Sequence, residues 1–372
     1  MPVKLRLATF NIENLFTRHD FNAFLKGPRS REARYLAPIA QFFANYGDGD
    51  LTDFGDFKQL IQTASVAQDD DKRQHTALAL AQLNADVVAF QEVDSFDALK
   101  RFLSAYYGKL GEKPYRHVAL HEGNDMRGID VAVAAHDDWP FYTRSHADLT
   151  PSWVDNTASG EALLDQFPKA KSKASKLARK RIFRRDCLEI VLTKAPVTVF
   201  NCHFKSMGGG RDDSMGMRQL EAITVREIIN RKFDNPADAL WCVVGDLNDY
   251  QQVIKVRKEL DANGNQVEDV VVENESGVDP LLADGFGVNL AQNLADADRW
   301  THYYASGRHK TQLDYIIASP ALAAKMVGQP EIVRMGMPHR VPNSAHIPRF
   351  PRIGWDRPKA SDHCPLVVEF RV

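Results

Sequence analysis

The chain has 372 residues, 44% of them apolar, with 47 basic against 49 acidic side chains and a net charge of −2. That is enough apolar material for one large α/β domain or two ordinary ones, and the near-balance of charge excludes a protein that coats polyanions with its whole surface. The longest apolar runs, such as Val87-Val88-Ala89-Phe90 and Leu240-Trp241-Cys242-Val243-Val244, are strand-length, far short of the roughly 20 residues that a bilayer helix requires.

The segment Met1-Pro2-Val3-Lys4-Leu5-Arg6-Leu7 runs straight into a strand pattern, with no apolar leader core and no small-residue cleavage site. A cytoplasmic address is expected, or a secreted one if a leader precedes this sequence. Cys187, Cys202, Cys242 and Cys364 are isolated among apolar residues, with no C-x-x-C pair, so buried reduced thiols are expected.

In chain order, residues 5–11 alternate as a strand that ends in Asn11 and Glu13 on one side. Residues 17–56 break into aromatic, glycine-rich and charged pieces, read as a long loop with a short helix. Helical spacing follows over 58–83, with Leu60, Ala64, Ala67, Ala77, Leu80 and Leu83 on one stripe. Asp86 to Val93 is a buried strand that stops at an acid, Glu92. A helix is expected to start near Ser95 with Phe96, Leu99 and Phe102 inward. Residues 127–133 read as another strand, and 137–180 as a polar insertion with one basic helix. Residues 188–192 and 197–204 pair as a hairpin through Lys194-Ala195-Pro196. After Gly208-Gly209-Gly210 a long helix spans about 214–232, followed by an apolar strand ending at Asp246. Insertions are expected at 250–300, with an Asn263-Gly264 hairpin signal, and at 328–358, rich in proline. The strands at 313–319 and 365–370 complete the pattern, and no composition break marks a linker, so a single domain is expected over 1–372.

Polar residues at strand ends carry the chemistry. Glu92 follows an apolar run, where a buried carboxylate needs a cation or an arginine to neutralise it; a solvated strand terminus is the alternative. Asp246 and Asn248 lie two apart on an extended segment and share a side, suited to holding water or phosphate, although Gly-Asp-x-Asn also serves as plain turn chemistry. His363 needs an acid to fix its tautomer, and Asp314 is the candidate, with Asp362 as the alternative partner. Asn201, His203 and Lys205 share one face of a strand and suit a phosphate cradle; a half-exposed strand would show the same alternation. Together these groups are the equipment of metal-assisted phosphate-ester hydrolysis.

Thr9-Phe10-Asn11-Ile12-Glu13, Gln91-Glu92, Arg127-Gly128-Ile129-Asp130, Asn201-Cys202-His203-Phe204-Lys205-Ser206, Gly245-Asp246-Leu247-Asn248, Leu313-Asp314-Tyr315 and Ser361-Asp362-His363 occur in this order across nearly the whole chain. This set resembles the endonuclease/exonuclease/phosphatase superfamily, and its segment around His203 is more similar to the deoxyribonuclease I-like and bacterial nuclease branch than to the abasic-site branch. The resemblance implies a four-layered α/β/β/α sandwich: two mixed sheets face to face, helices outside, and a site at one rim. It implies that Glu92 binds Mg²⁺, or Mn²⁺ in its place, with Asn11 and Asp362 nearby. Asp246 would activate the water, Asn248 would orient water or phosphate, Asp314 would hold His363, and His203 would contact the phosphate or act as an acid. Arg127, Asn201, Lys205 and Asn11 would contact substrate.

Such a catalytic set fixes the reaction and leaves the substrate to the insertions. Lys169, Lys171, Lys173, Lys176, Arg179, Lys180, Arg181, Arg184 and Arg185 crowd one segment, read as a phosphate track extended by Arg127 and Lys205, or as a solvated helix face. The main expectation is a divalent-metal-dependent phosphodiesterase acting on nucleic acid, DNA ahead of RNA. The alternatives are a hydrolase of small or lipid phosphate esters, for which Trp139, Phe141, Tyr142 and Trp153 could form an amphipathic element, and an inactive nucleic-acid-binding protein on the same fold.

Overall fold

The computed structural model describes residues 2–15 and 70–372 apart from Met126. The loop expected over 17–56 and the first part of the helix expected over 58–83 lie outside the described residues. Sixteen strands are described: β1 (Lys4–Leu15), β2 (Val87–Val93), β3 (Tyr115–His121), β4 (Asp130–His136), β5 (Phe141–Arg144), β6 (Cys187–Leu192), β7 (Thr198–His203), β8 (Trp241–Asp246), β9 (Gln252–Leu260), β10 (Gln266–Val272), β11 (Val288–Asn289), β12 (His302–Tyr304), β13 (His309–Thr311), β14 (Asp314–Ala318), β15 (Met326–Ile332) and β16 (Leu366–Arg371). The helices used below are α1 (Asp70–Leu83), α2 (Phe96–Ala105), α3 (Pro151–Asp155), α4 (Ala158–Gln166), α5 (Pro168–Leu177) and α6 (Arg211–Lys232).

Two six-stranded sheets form the centre, in the orders β15-β16-β1-β2-β4-β3 and β11-β14-β8-β7-β6-β5. Each is antiparallel except for one parallel pair, β1 with β2 and β7 with β8. Their inner faces meet through Leu5, Leu7, Val87, Ala89, Val131 and Val133 on one side and Leu188, Ile190, Val199, Cys242, Val244 and Ile316 on the other. The outer face of the first sheet packs Ala8, Phe10, Val88 and Phe90 against Leu80 and Leu83 of α1 and Leu99 and Phe102 of α2. The outer face of the second is covered by α6 through Ala222, Val225, Ile228 and Ile229. The result is the expected α/β/β/α sandwich. Central strands covered on both faces have no polar side to show, which is why β2 and β8 read as unbroken apolar runs.

Ser95 caps α2 by accepting from the Ala98 N–H at 3.1 Å. Phe96, expected inward, is 40% exposed: it is the first residue of the helix, at the end of the stripe, and Lys100 Nζ lies 5.2 Å from its ring centroid. Residues 137–180 hold β5 and three helices, α3, α4 and α5, of which the lysine-bearing α5 is the basic helix expected there. These helices cover α6 through Val154, Leu163, Ala170 and Ala174, which meet Leu220 and Ile223. Helix α6 is therefore buried almost all round and carries even Arg218 and Glu221 inside. The Asn263-Gly264 signal does mark a hairpin, β9 to β10, but that hairpin belongs to a third sheet of order β10-β9-β13-β12. The proline-rich region expected over 328–358 begins with most of β15, an edge strand of the first sheet. All four cysteines are buried and free.

Candidate active site

The site lies where β1 and β2 of one sheet meet β7, β8 and β14 of the other. Strand register sets three of its residues in a row: His203 is opposite Asp246 in the β7–β8 ladder, and Asp314 is opposite Asp246 in the β8–β14 ladder. Gly245 makes that row possible. Its φ is +131°, and a Cβ there would stand 1.9 Å from the Cys202 carbonyl oxygen, so any side chain would force β8 away from β7 one residue before Asp246. Glu92 and Asn248 have left-handed backbone, with φ of 64° and 52°, a conformation that costs a non-glycine residue roughly 1–2 kcal/mol. Glu92 lies at a register shift within β2, between Gln91 and Val93, and Asn248 lies just past the end of β8.

Asp246 Oδ2 is the hub. Asn11 Nδ2 donates to it at 3.0 Å, His203 Nε2 is 3.6 Å away, and His363 Nε2 is 3.7 Å away. The other oxygen, Oδ1, accepts from the Asn248 N–H at 2.9 Å. Glu92 Oε1 is 3.9 Å from His203 Nε2. His363 Nδ1 is 2.8 Å from Asp314 Oδ2, the partner foreseen for it, and the loop that carries it is fastened to β1 by Ser361 Oγ, which donates to the Asn11 carbonyl at 2.7 Å and accepts from the His363 N–H at 3.0 Å.

Burial pushes the Asp246 carboxyl up to about 7, with the Asp314 and Glu92 charges adding to the shift and His363 opposing it. Burial, reinforced by Asp362, also raises Glu92. For His363 burial works toward the neutral ring, but Asp314 and Asp246 outweigh it and hold the imidazole well above its usual value. His203 moves the other way, because burial and the positive charges of Arg185 and Arg127 keep it neutral. At neutral pH one imidazolium therefore faces Glu92, Asp246 and Asp314, and His203 Nδ1 and Asp314 Oδ1 are buried with no hydrogen-bond partner among the described residues. That surplus of buried acid suits a divalent cation; among the described residues Asp246, Asp314 and His363 form one group whose ligand atoms lie within 4.8 Å of one another, with Glu92 beside His203.

The structure brings Asn11, Glu92, His203, Asp246, Asn248, Asp314 and His363 together. Asp362 stands next to them, close enough for its charge to raise Glu92. Asn248 spends its Nδ2 on the Phe204 carbonyl at 3.1 Å. Glu13 is occupied elsewhere, between Lys72 at 2.9 Å and Lys359 at 3.0 Å.

Asn201, expected at the substrate, lies inside the fold. It is fully buried between the sheets, donating from Nδ2 to the Phe90 and Ala132 carbonyls at 3.0 and 2.9 Å and accepting from Gln91 Nε2 at 2.7 Å. The shared face of Asn201 and His203 points inward, so the row that reads as a cradle is at Asn201 an inter-sheet bridge. Lys205 and Arg127 lie at the rim. Lys205 Nζ donates to the Ser206 carbonyl at 3.0 Å, and burial together with Arg185 lowers it to about 8. Arg127 is held by Asp125 through Nε at 3.0 Å and Nη2 at 2.7 Å.

The basic run over 169–185 is not one exposed track. Arg185 is buried and paired with Asp125 at 2.9 Å, Lys169 meets Glu275 at 2.6 Å, Lys171 pairs with Asp165, and Arg181 meets Asp148 at 2.7 Å. Ala170 and Ala174 turn one face of α5 into the core. Asp125 and Asp249, absent from the sequence expectations, organise the surroundings. Asp125 fixes both Arg127 and Arg185, and Asp249 is fully buried between Arg211 and Arg218, at 2.7 and 2.8 Å. The Asp that directly follows Asn248 was the available signal, since a further acid there needs a cation once buried.

The profile of the Endonuclease/Exonuclease/phosphatase family matches residues 8–363. Among solved structures, the chain is similar to truncated Caenorhabditis elegans TDP2 (14% identity, 99% of this chain and 98% of that one, TM-score 0.45). It is also similar to an endonuclease/exonuclease/phosphatase family protein from Bacteroides thetaiotaomicron (14%, 99% and 95%, 0.47). A third is the human Nocturnin catalytic domain with bound sulfate (13%, 100% and 96%, 0.49). No curated protein matches the chain.

Proposed function

This chain belongs to the Endonuclease/Exonuclease/phosphatase family, and we propose that within it the protein cleaves phosphodiester bonds of nucleic acid, DNA in the first place. Membership makes it a metal-dependent phosphoric-ester hydrolase. The observation that supports this mechanism is the convergence on Asp246 Oδ2 of Asn11, His203 and His363 within 3.7 Å.

Asp246 accepts the proton of the attacking water, its basicity raised by burial while the Asn11 amide and the Asn248 N–H hold it in place. Asn248 orients that water through Oδ1, since its Nδ2 is committed to Phe204. His363, kept cationic by Asp314, meets the negative charge that grows on the phosphoryl oxygens. Neutral His203 contributes an N–H to a phosphate oxygen rather than serving as the acid. Glu92, with Asn11 and Asp362 beside it, would hold a magnesium ion, whose chemistry when bound would be Lewis-acid stabilisation of the phosphate. Arg127 and Lys205 at the rim support an extended polyanion as substrate.

The test is a panel of duplex DNA, single-stranded DNA, RNA, a phosphoinositide and bis-p-nitrophenyl phosphate with Mg²⁺ or Mn²⁺, run on the parent, Asp246→Ala and His363→Ala. Cleavage of DNA that both substitutions abolish is expected. Turnover confined to the phosphoinositide would select a lipid-phosphate hydrolase, and DNA cleavage indifferent to both substitutions would remove the proposal.

A further inference from the structure

Beside the catalytic row stands a second group that the hydrolytic chemistry does not use. His302, on β12, is joined to His363 by an isolated antiparallel bridge, and the two rings lie 5.1 Å apart between centroids. His302, Asp362 and His363 offer ligand atoms that all lie within 4.8 Å of one another, and all three residues are partly exposed.

Two of these groups are unspent among the described residues. His302 Nδ1 is buried with no hydrogen-bond partner. The Asp362 carboxylate makes neither a hydrogen bond nor an ion pair, and Lys359, whose charge acts on it, is tied to Glu13 at 3.0 Å. His363 is anchored through Nδ1 to Asp314, which leaves Nε2 as its free ligand atom.

Two imidazoles and one carboxylate are a borderline-soft set. They rank Zn²⁺, Ni²⁺ and Co²⁺ above Mg²⁺, which prefers oxygen and its own waters. Tetrahedral zinc with bonds of about 2.1 Å sets its ligands about 3.4 Å apart, a gap that small rotations of the partly exposed His302 and Asp362 side chains can close. We propose that His302, Asp362 and His363 form an inhibitory transition-metal site, distinct from the hard-cation position at Glu92, which when filled by zinc takes His363 out of catalysis. Zinc binds where the His363 Nε2 proton stood, and that proton passes to solvent. With Nε2 bound to zinc and Nδ1 held by Asp314, His363 can no longer approach the reacting group.

The capture of zinc stands without the proposed function; only the inhibition rests on it. Calorimetry with ZnCl₂ under saturating Mg²⁺, and the visible absorption of added Co²⁺, are measured on the parent, His302→Ala and His302→Gln, the latter keeping polarity and much of the volume. One site in the parent, with a tetrahedral cobalt band, is expected, weakened at least about tenfold in both variants. Zinc inhibition of phosphodiester hydrolysis should shift by the same factor, with zinc-free activity unchanged. Zinc affinity equal in parent and both variants would overturn the site. Zinc binding that depends on His302 yet leaves activity untouched would overturn the inhibitory role. A protein with no phosphodiesterase activity would fail the proposed function, while the calorimetry and the cobalt spectrum would still decide the site.

Discussion

Asn11 Nδ2 stands 3.0 Å from Asp246 Oδ2, and this one hydrogen bond ties β1 of the first sheet to β8 of the second across 235 positions of sequence. The amide has a second anchor, because its Oδ1 accepts from the Glu13 N–H at 3.0 Å. Asp246 is thus aimed by a residue on the opposite sheet.

Replacing Asp246 by Asn should separate activity from stability. Loss of the base should lower kcat by roughly 10²–10⁴. The folded carboxyl titrates near 7 instead of the usual 3.8. Its ionisation therefore costs the fold stability that develops as pH rises from about 4 to about 7. In metal-free buffer Asp246→Asn should melt higher than the parent at pH 8, with the gain shrinking toward pH 4, as scanning calorimetry would record. A variant that is inactive and no more stable at pH 8 would contradict the burial account.

Asp314→Asn should move the alkaline limb of the pH–rate profile. Asp314 and Asp246 hold His363 cationic well above its usual range, so activity that needs the imidazolium persists into alkaline pH and falls as the ring loses its proton. With the 2.8 Å partner reduced to an amide, that fall should begin at lower pH, and kcat/KM at pH 8 should drop by about tenfold or more. An unchanged limb would mean that His363 acts as the neutral ring.

Asn201→Ala tests the inter-sheet bridge. It removes three hydrogen bonds in a fully buried setting and leaves Gln91 Nε2 only its contacts to Thr9 and the Ala89 carbonyl, a loss of about 3 kcal/mol by urea unfolding. KM for substrate should stay within about twofold, since only uniform binding contacts would move it alone. A KM increase without destabilisation would restore the substrate contact expected from the sequence.

Glu221 makes a second pH test, away from the metal. Its side chain is buried in α6, accepts from the Lys205 N–H at 2.7 Å, and is pushed by burial up to about 7. The folded state holds this proton more tightly than the unfolded chain, so the parent loses stability between about pH 4.5 and 7. Glu221→Gln keeps the acceptor without the charge and should be more stable at pH 8 by about 2 kcal/mol, with little difference at pH 5. A pH-independent difference in chemical denaturation would assign the effect to packing.

The strand ends were legible because burial dictates them. Val87 to Phe90 and Trp241 to Val244 are apolar on both faces, so the first acid after each, Glu92 and Asp246, had to mark the point where a strand leaves the core. Less regular elements gave no such sign. Strands β9 and β13 build a sheet of their own at the edge of the sandwich, where partial exposure blurs the alternation of side chains. Phe96 shares helical spacing with Leu99 and Phe102 and yet lies outside, since periodicity gives a stripe and not the width of the surface that covers it.

Sequence by itself determined which side chains could do phosphoryl chemistry and that Glu92, His203 and Asp246 would stand where apolar strands end, since hydrophobic burial and the period of two are local properties of the chain. Tertiary structure alone decided who meets whom. The register that sets His203 and Asp314 on either side of Asp246, the turning of Asn201 into the seam between the sheets, and the spending of Arg185 on Asp125 depend on long-range pairing. Such pairing follows from the packing of whole sheets, and no stretch of neighbouring residues encodes it.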